Sequence, residues 1–83
     1  MFILLETTEG RPVLVNLNHV RSVAVSNRDK PVLHLQFEGG SITDFKAVDG
    51  QGNPLAMSDK ATERDLMRSF REMLAATQAT TRP

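Results

Sequence analysis

The chain of 83 residues carries ten basic and ten acidic side chains, no cysteine, and only four aromatic residues, all phenylalanine. That length holds one domain, and folding buries roughly 60–65% of the unfolded surface, which leaves a lone monomer marginal. A net charge of zero gives no global field for nucleic acid or anionic membrane, the missing thiols exclude disulfides and thiolate metal sites, and the scarcity of rings argues against base or sugar stacking.

Phe2-Ile3-Leu4-Leu5 is an apolar run without preceding positive charge. It is too short for a secretory core or a membrane span, so a cytoplasmic protein without a membrane partner is expected. The run reads as a strand over about 2–8, and Glu9-Gly10 supplies turn chemistry. A second strand follows over about 11–17; Pro12 lacks a ladder donor, so the strand starts there or lies at an edge. Val13, Val15 and Leu17 keep a two-residue beat that breaks at Asn18-His19. Asn16 and Asn18 are therefore read as structural turn residues whose side chains cap a single helical turn. That turn would aim Leu17 and Val20 at the core before a third strand over about 20–26.

Asn27-Arg28-Asp29-Lys30-Pro31 is a polar turn. Leu33, Leu35 and Phe37 then alternate with His34 and Gln36 over a strand at about 31–37, the pattern of a half-buried antiparallel strand. Gly39 and Gly40 mark a tight hairpin, expected as a primed turn. A fifth strand at about 41–48 carries Ile42, Phe45 and Val48. After the breaker run Asp49–Pro54 the period changes. Leu66, Met67, Phe70, Met73, Leu74 and Thr77 recur at three and four residues, which places an amphipathic helix at about 59–77, with Ser58 or Asp59 as N-cap. The expected architecture is α+β: a small antiparallel sheet of four to five strands covered by one C-terminal helix. Residues 1–79 form the domain and 80–83 a frayed tail.

Few side-chain constellations carry chemistry. His19 and His34 are fifteen residues apart, with no short-spaced carboxylate or thiol to complete a metal site. Ser22, Ser26, Ser41, Ser58 and Ser69 include no Gly-x-Ser-x-Gly elbow. Neither glycine pair opens a helix as a phosphate cradle does. No enzyme activity and no cofactor are expected. Lys60, Arg64, Arg68 and Arg71 lie four, four and three apart, a basic stripe on one helix face that could meet phosphates or an acidic partner. The competing reading is a solvated face neutralised by Asp65–Arg68 and Arg68–Glu72 pairs.

The segment Val15-Asn16-Leu17-Asn18-His19-Val20-Arg21-Ser22-Val23 resembles a pattern in two families. One is the LytTR DNA-binding domain, where a strand runs into a Val-Asn-hydrophobic segment, and a later strand and glycine turn resemble Leu33–Ile42. The other is the small flagellar FlbD family, which the chain resembles over about residues 2–48: glycine turn, Asn-containing corner, hairpin, then a C-terminal helical segment. The chain lacks the flanking basic and aromatic segments of a LytTR reader, and the loop Asp49–Met57 matches neither family, so no functional residue is carried over.

The sequence points to a small interaction module that forms a homodimer or small homo-oligomer and meets a further protein. Because Phe2–Leu5 is apolar on both strand faces, a subunit contact is expected there. Leu4, Leu66, Phe70 and Leu74 are the positions expected in the core or at that interface. Nucleic-acid binding through Lys60, Arg64, Arg68 and Arg71 is the alternative.

Overall fold

Strand alternation sorts the first half of the chain into an inner and an outer set of side chains. The computed structural model describes residues 1–55 and 61–81, with side chains through Thr77. β1 (Phe2–Glu6) and β2 (Pro12–Asn16) form one antiparallel pair, with Leu4 opposite Leu14. β3 (Val20–Asn27), β4 (Pro31–Phe37) and β5 (Ile42–Lys46) form a second antiparallel sheet in that order. A single helix, α1 (Glu63–Thr81), follows. The expected α+β class is present, with its strands divided between two sheets rather than joined in one. The sheets meet through an antiparallel bridge between Thr7 and Phe45, reinforced where Lys46 Nζ donates to Glu6 Oε1 at 2.6 Å.

The beat that breaks at Asn18-His19 marks a corner. Leu17–His19 form one 3₁₀ turn, capped where Asn18 N–H donates to Asn16 Oδ1 at 3.1 Å and closed by Val20 N–H on the Leu17 carbonyl. Asn16 is thus the capping side chain, while Asn18 supplies a backbone donor and leaves its own side chain exposed. Leu17 and Val20 pack against the core as the three-residue spacing requires. A register shift between Val20 and Ser22 then starts β3.

Three loops share one backbone frame. In Thr7–Arg11, Phe37–Ser41 and Asp49–Asn53, the first residue's N–H donates to the fifth residue's carbonyl, and the fourth residue's N–H donates back to the first carbonyl. The fourth residue is a glycine each time, at φ of 92° for Gly10 and Gly40 and 89° for Gly52. This is the three-residue hairpin loop, in which a turn is followed by a left-handed residue that only glycine adopts without steric cost. Gly39 and Gly40 both carry the positive φ, 94° and 92°, that the expected primed Gly-Gly turn needs. The closing bond instead runs from Gly40 N–H to the Phe37 carbonyl, so Glu38 and Gly39 are the central pair, with negative and then positive φ, the type II sense. The third loop turns the supposed breaker run into a small hairpin, with Leu55 N–H donating to the Ala47 carbonyl at 2.9 Å.

The helix starts at Glu63 rather than near residue 59, because Thr62 caps it. Asp65 N–H donates to Thr62 Oγ1 and Thr62 N–H donates to Asp65 Oδ2, both at 3.1 Å, which satisfies two orphan donors reciprocally. Ser58 and Asp59, the caps expected from sequence, lie outside the described residues. The helix continues to Thr81, so Thr80 and Thr81 belong to it rather than to a tail. One core unites all elements: Ile3, Leu5 and Val15 from the hairpin, Leu33, Leu35 and Phe45 from the sheet, Ala47 and Val48, and Leu66, Phe70 and Met73 from the helix. Leu66 and Phe70 are buried and Leu74 is partly buried against this cluster. Leu4 does not enter the core. It is 65% exposed, because Ile3 and Leu5 take the inward positions on either side.

Candidate functional site

Three surfaces of the molecule carry features that a bare scaffold does not require. The first is the outer face of the β1–β2 hairpin. Phe2 is 57% exposed, Leu4 65% and Leu14 63%. The antiparallel register sets Leu4 and Leu14 side by side, so the three form one apolar patch rather than scattered residues. Beside it runs a groove of about 320 Å³, floored by Phe2, Ile3 and Leu4 and walled by Gln51, Gly52, Met73 and Thr77.

The second surface is the outer face of the three-stranded sheet. His34 sits in the middle strand, directly opposite Asp44 on one side and Ala24 on the other. Its Nδ1 lies 2.7 Å from Asp44 Oδ1, and its Nε2 lies 2.8 Å from Ser26 Oγ. The carboxylate has no proton to give, so Nδ1–H donates to Asp44. In a neutral imidazole that makes Nε2 the acceptor and the Ser26 hydroxyl the donor. A few ångströms along the same face Ser22 Oγ donates to Gln36 Oε1 at 3.0 Å. His19 in the corner turn is far more loosely held, with Nδ1 3.5 Å from Glu38 Oε2 and both side chains over 60% exposed. Among the described residues, no group of three or more His, Asp or Glu side chains is placed to hold a metal ion.

The third surface is the helix stripe. Arg64, Arg68 and Arg71 are all exposed on α1, and Lys60 lies outside the described residues. Arg68 Nη1 approaches Asp65 Oδ1 at 3.8 Å; the Arg68–Glu72 pair is not formed among the described residues, and neither Arg64 nor Arg71 closes an ion pair there. The Asp65 carboxyl is held below its ordinary range, first by the backbone and side chain of Thr62 and less by Arg68 and Arg64. Asp49 is lowered in the same sense by the Asn53 and Gln51 N–H groups that its Oδ1 accepts.

The Ser26–His34–Asp44 chain was not legible as a unit. The alternation of Leu33, Leu35 and Phe37 does turn His34 and Gln36 outward. Which serine and which aspartate flank His34 depends on the hairpin registers, and these follow from loop geometry rather than from the residues themselves. No helix among the described residues is long and apolar enough to cross a membrane. Comparison with protein-family models, with curated proteins and with solved structures gives no match to this chain.

Proposed function

We propose that this chain is a small self-associating protein-interaction module whose first contact is the outer face of the β1–β2 hairpin. The observation that carries the reading is the exposure of Phe2, Leu4 and Leu14 on a two-stranded face whose inner residues, Ile3, Leu5 and Val15, are already buried in the core. A two-stranded antiparallel face stacks on a second copy through a two-fold axis, so each Leu4–Leu14 pair meets its equivalent. The exposed helix face with Arg64, Arg68 and Arg71 then remains available to a further protein, where charge sets specificity and encounter rate.

Light scattering across a tenfold dilution tests this directly. A dimer that persists in high salt and falls to 9.2 kDa in Leu4→Asp is the expected result. A wild-type monomer at every concentration overturns it. The second reading, nucleic-acid binding by the helix stripe, is favoured by the absence of an ion pair at Arg64 and Arg71 among the described residues. It predicts affinity that falls steeply with salt and is lost in the Arg64→Glu/Arg68→Glu double variant, whereas a protein contact through the hairpin is indifferent to both.

A further inference from the structure

We propose that Ser26 is a base-activated nucleophile that takes the acyl group of a carboxylic ester, with His34 as its general base and Asp44 as the residue that positions His34. This goes beyond the self-association reading and rests on a different face. Three strands contribute one residue each, Ser26 from β3, His34 from β4 and Asp44 from β5, and the two contacts of 2.8 and 2.7 Å run through opposite nitrogens of one imidazole. A serine–histidine–carboxylate relay is recognised by this geometry and not by order in the chain or by a sequence elbow. The proton placement is the productive one: Asp44 can only accept, which fixes the proton on Nδ1 and leaves Nε2 free to receive the Ser26 proton.

The site is open to a reactant. Ser26 is half-buried, while the His34 and Asp44 side chains are 33% and 51% exposed. In the first step Oγ bonds to the acyl carbon as its proton passes to Nε2. The carbon–oxygen bond to the leaving alcohol then breaks, and Nε2 returns the proton to that oxygen. Water repeats the sequence on the acyl-serine, giving its proton to Nε2, and the carboxylic acid leaves as Oγ regains a proton. Asp44 stays ionised throughout and faces the imidazolium that forms twice. Ser22 is an internal control in the same strand and on the same face, because its partner is the Gln36 amide oxygen, which cannot take up a proton.

The test uses a fluorophosphonate, whose phosphorus stands in for the acyl carbon and whose adduct does not hydrolyse, with the site read by peptide mass. Expected is label on Ser26 and not on Ser22, no label at that position in Ser26→Ala, and labelling slower by on the order of 100-fold or more in His34→Gln, the low end of a general base's contribution. Full-length protein in urea serves as the unfolded reference, and labelling there must vanish even if a variant folds poorly. Asp44→Asn must slow labelling and also move the His34 ring proton, seen as exchange of the two ring ¹⁵N shifts, with Asp44→Glu restoring both. Ser26 and Ser22 labelled alike, label that survives urea or His34→Gln, or no label at all overturns the proposal.

Discussion

The outer face of the β1–β2 hairpin carries Phe2, Leu4 and Leu14, whereas the outer face of the β3–β4–β5 sheet carries Ser22, Ser26, His34, Gln36 and Asp44, with Ile42 as a single exposed apolar residue opposite Gln36. Both sheets turn their other side to the same core. The alternation rule that buries Ile3 and Leu5 also exposes Phe2 and Leu4, and the rule that buries Leu33 and Leu35 exposes His34. What differs is what the outward positions find. In the three-stranded sheet each polar side chain meets a neighbour across the strands, so that face is satisfied by its own hydrogen bonds and open to water. In the hairpin Leu4 and Leu14 find each other and Phe2 and Leu4 border the groove beside Gln51 and Met73, yet the three side chains stay more than half exposed and leave an apolar surface that a second molecule can remove from water.

The largest expected effect comes from breaking what the faces share. Phe70 is 2% exposed and lies in the cluster that joins hairpin, sheet and helix. Phe70→Ala removes about 3–5 kcal/mol, a large share of the roughly 5–15 kcal/mol that holds a domain together. Urea unfolding followed by hydrogen exchange at Leu5, a hydrogen-bonded position of the hairpin, and at His34 should then show both amides losing protection together. If the hairpin amide opens at lower urea than the sheet amide, the two faces rest on separate cooperative units, and the single core described above is too generous.

A smaller effect compares the loops that border the two faces. Gly52 flanks the hairpin groove and Gly40 ends the β4–β5 turn, at nearly equal φ of 89° and 92°. An alanine in either must adopt the left-handed conformation, at about 1–2 kcal/mol. At Gly40 the new methyl meets nothing within 4 Å, and at Gly52 it lies in ordinary contact, 3.4 Å from Met73 Cγ. The two variants should therefore lose similar stability in thermal unfolding, because the backbone cost is shared and neither methyl clashes. A clearly larger loss in Gly52→Ala would mean that the helix presses closer on the Asp49–Asn53 loop than this distance indicates.

The same contrast explains what the residues made legible. Strand positions, the corner at Asn16 and the helical stripe through Leu66, Phe70 and Met73 are local patterns, and they predict four to five strands and one helix. The division into two sheets is not local: it depends on β2 leaving through a 3₁₀ turn and on β1 meeting β5 only at Thr7 and Phe45. The helix start was readable in Thr62-Glu63-Arg64-Asp65, a polar cap followed three residues later by an acid, but Ser58-Asp59 offered an equally good local signal. Leu4 was singled out by being apolar on a doubly apolar strand, and nothing in that run says which of its two faces is inward. The relay on His34 needs two registers at once, so absence of a serine elbow could not speak to it.

The smallest effects belong to two carboxylates that brace these supports, Asp49 in the loop beside the hairpin groove and Asp65 at the helix start, where Asn27 Nδ2 also ties the end of β3 to the Ala61 carbonyl at 2.7 Å. Each is held below the ordinary carboxylate value of 3.8, Asp49 first by the Asn53 N–H and Asp65 first by Thr62. A carboxyl whose folded value is lowered adds stability that is complete above its unfolded value and is lost as pH falls through the folded one. Acidification from pH 5 should thus leave the contribution of these two carboxylates in place until the pH nears 3.8 and remove it below. Both groups are open to solvent, so the loss is modest and should shrink further in high salt at Asp65, where Arg68 and Arg64 contribute. In an NMR titration the amides of Gln51 and Asn53 should report the Asp49 midpoint and that of Thr62 the Asp65 midpoint, both under 3.8. Asp49→Asn should erase the first and leave the second in place. A Thr62 midpoint that moved with Asp49→Asn would couple the loop beside the apolar face to the helix start beside β3, and the two faces could then no longer be treated as independently supported.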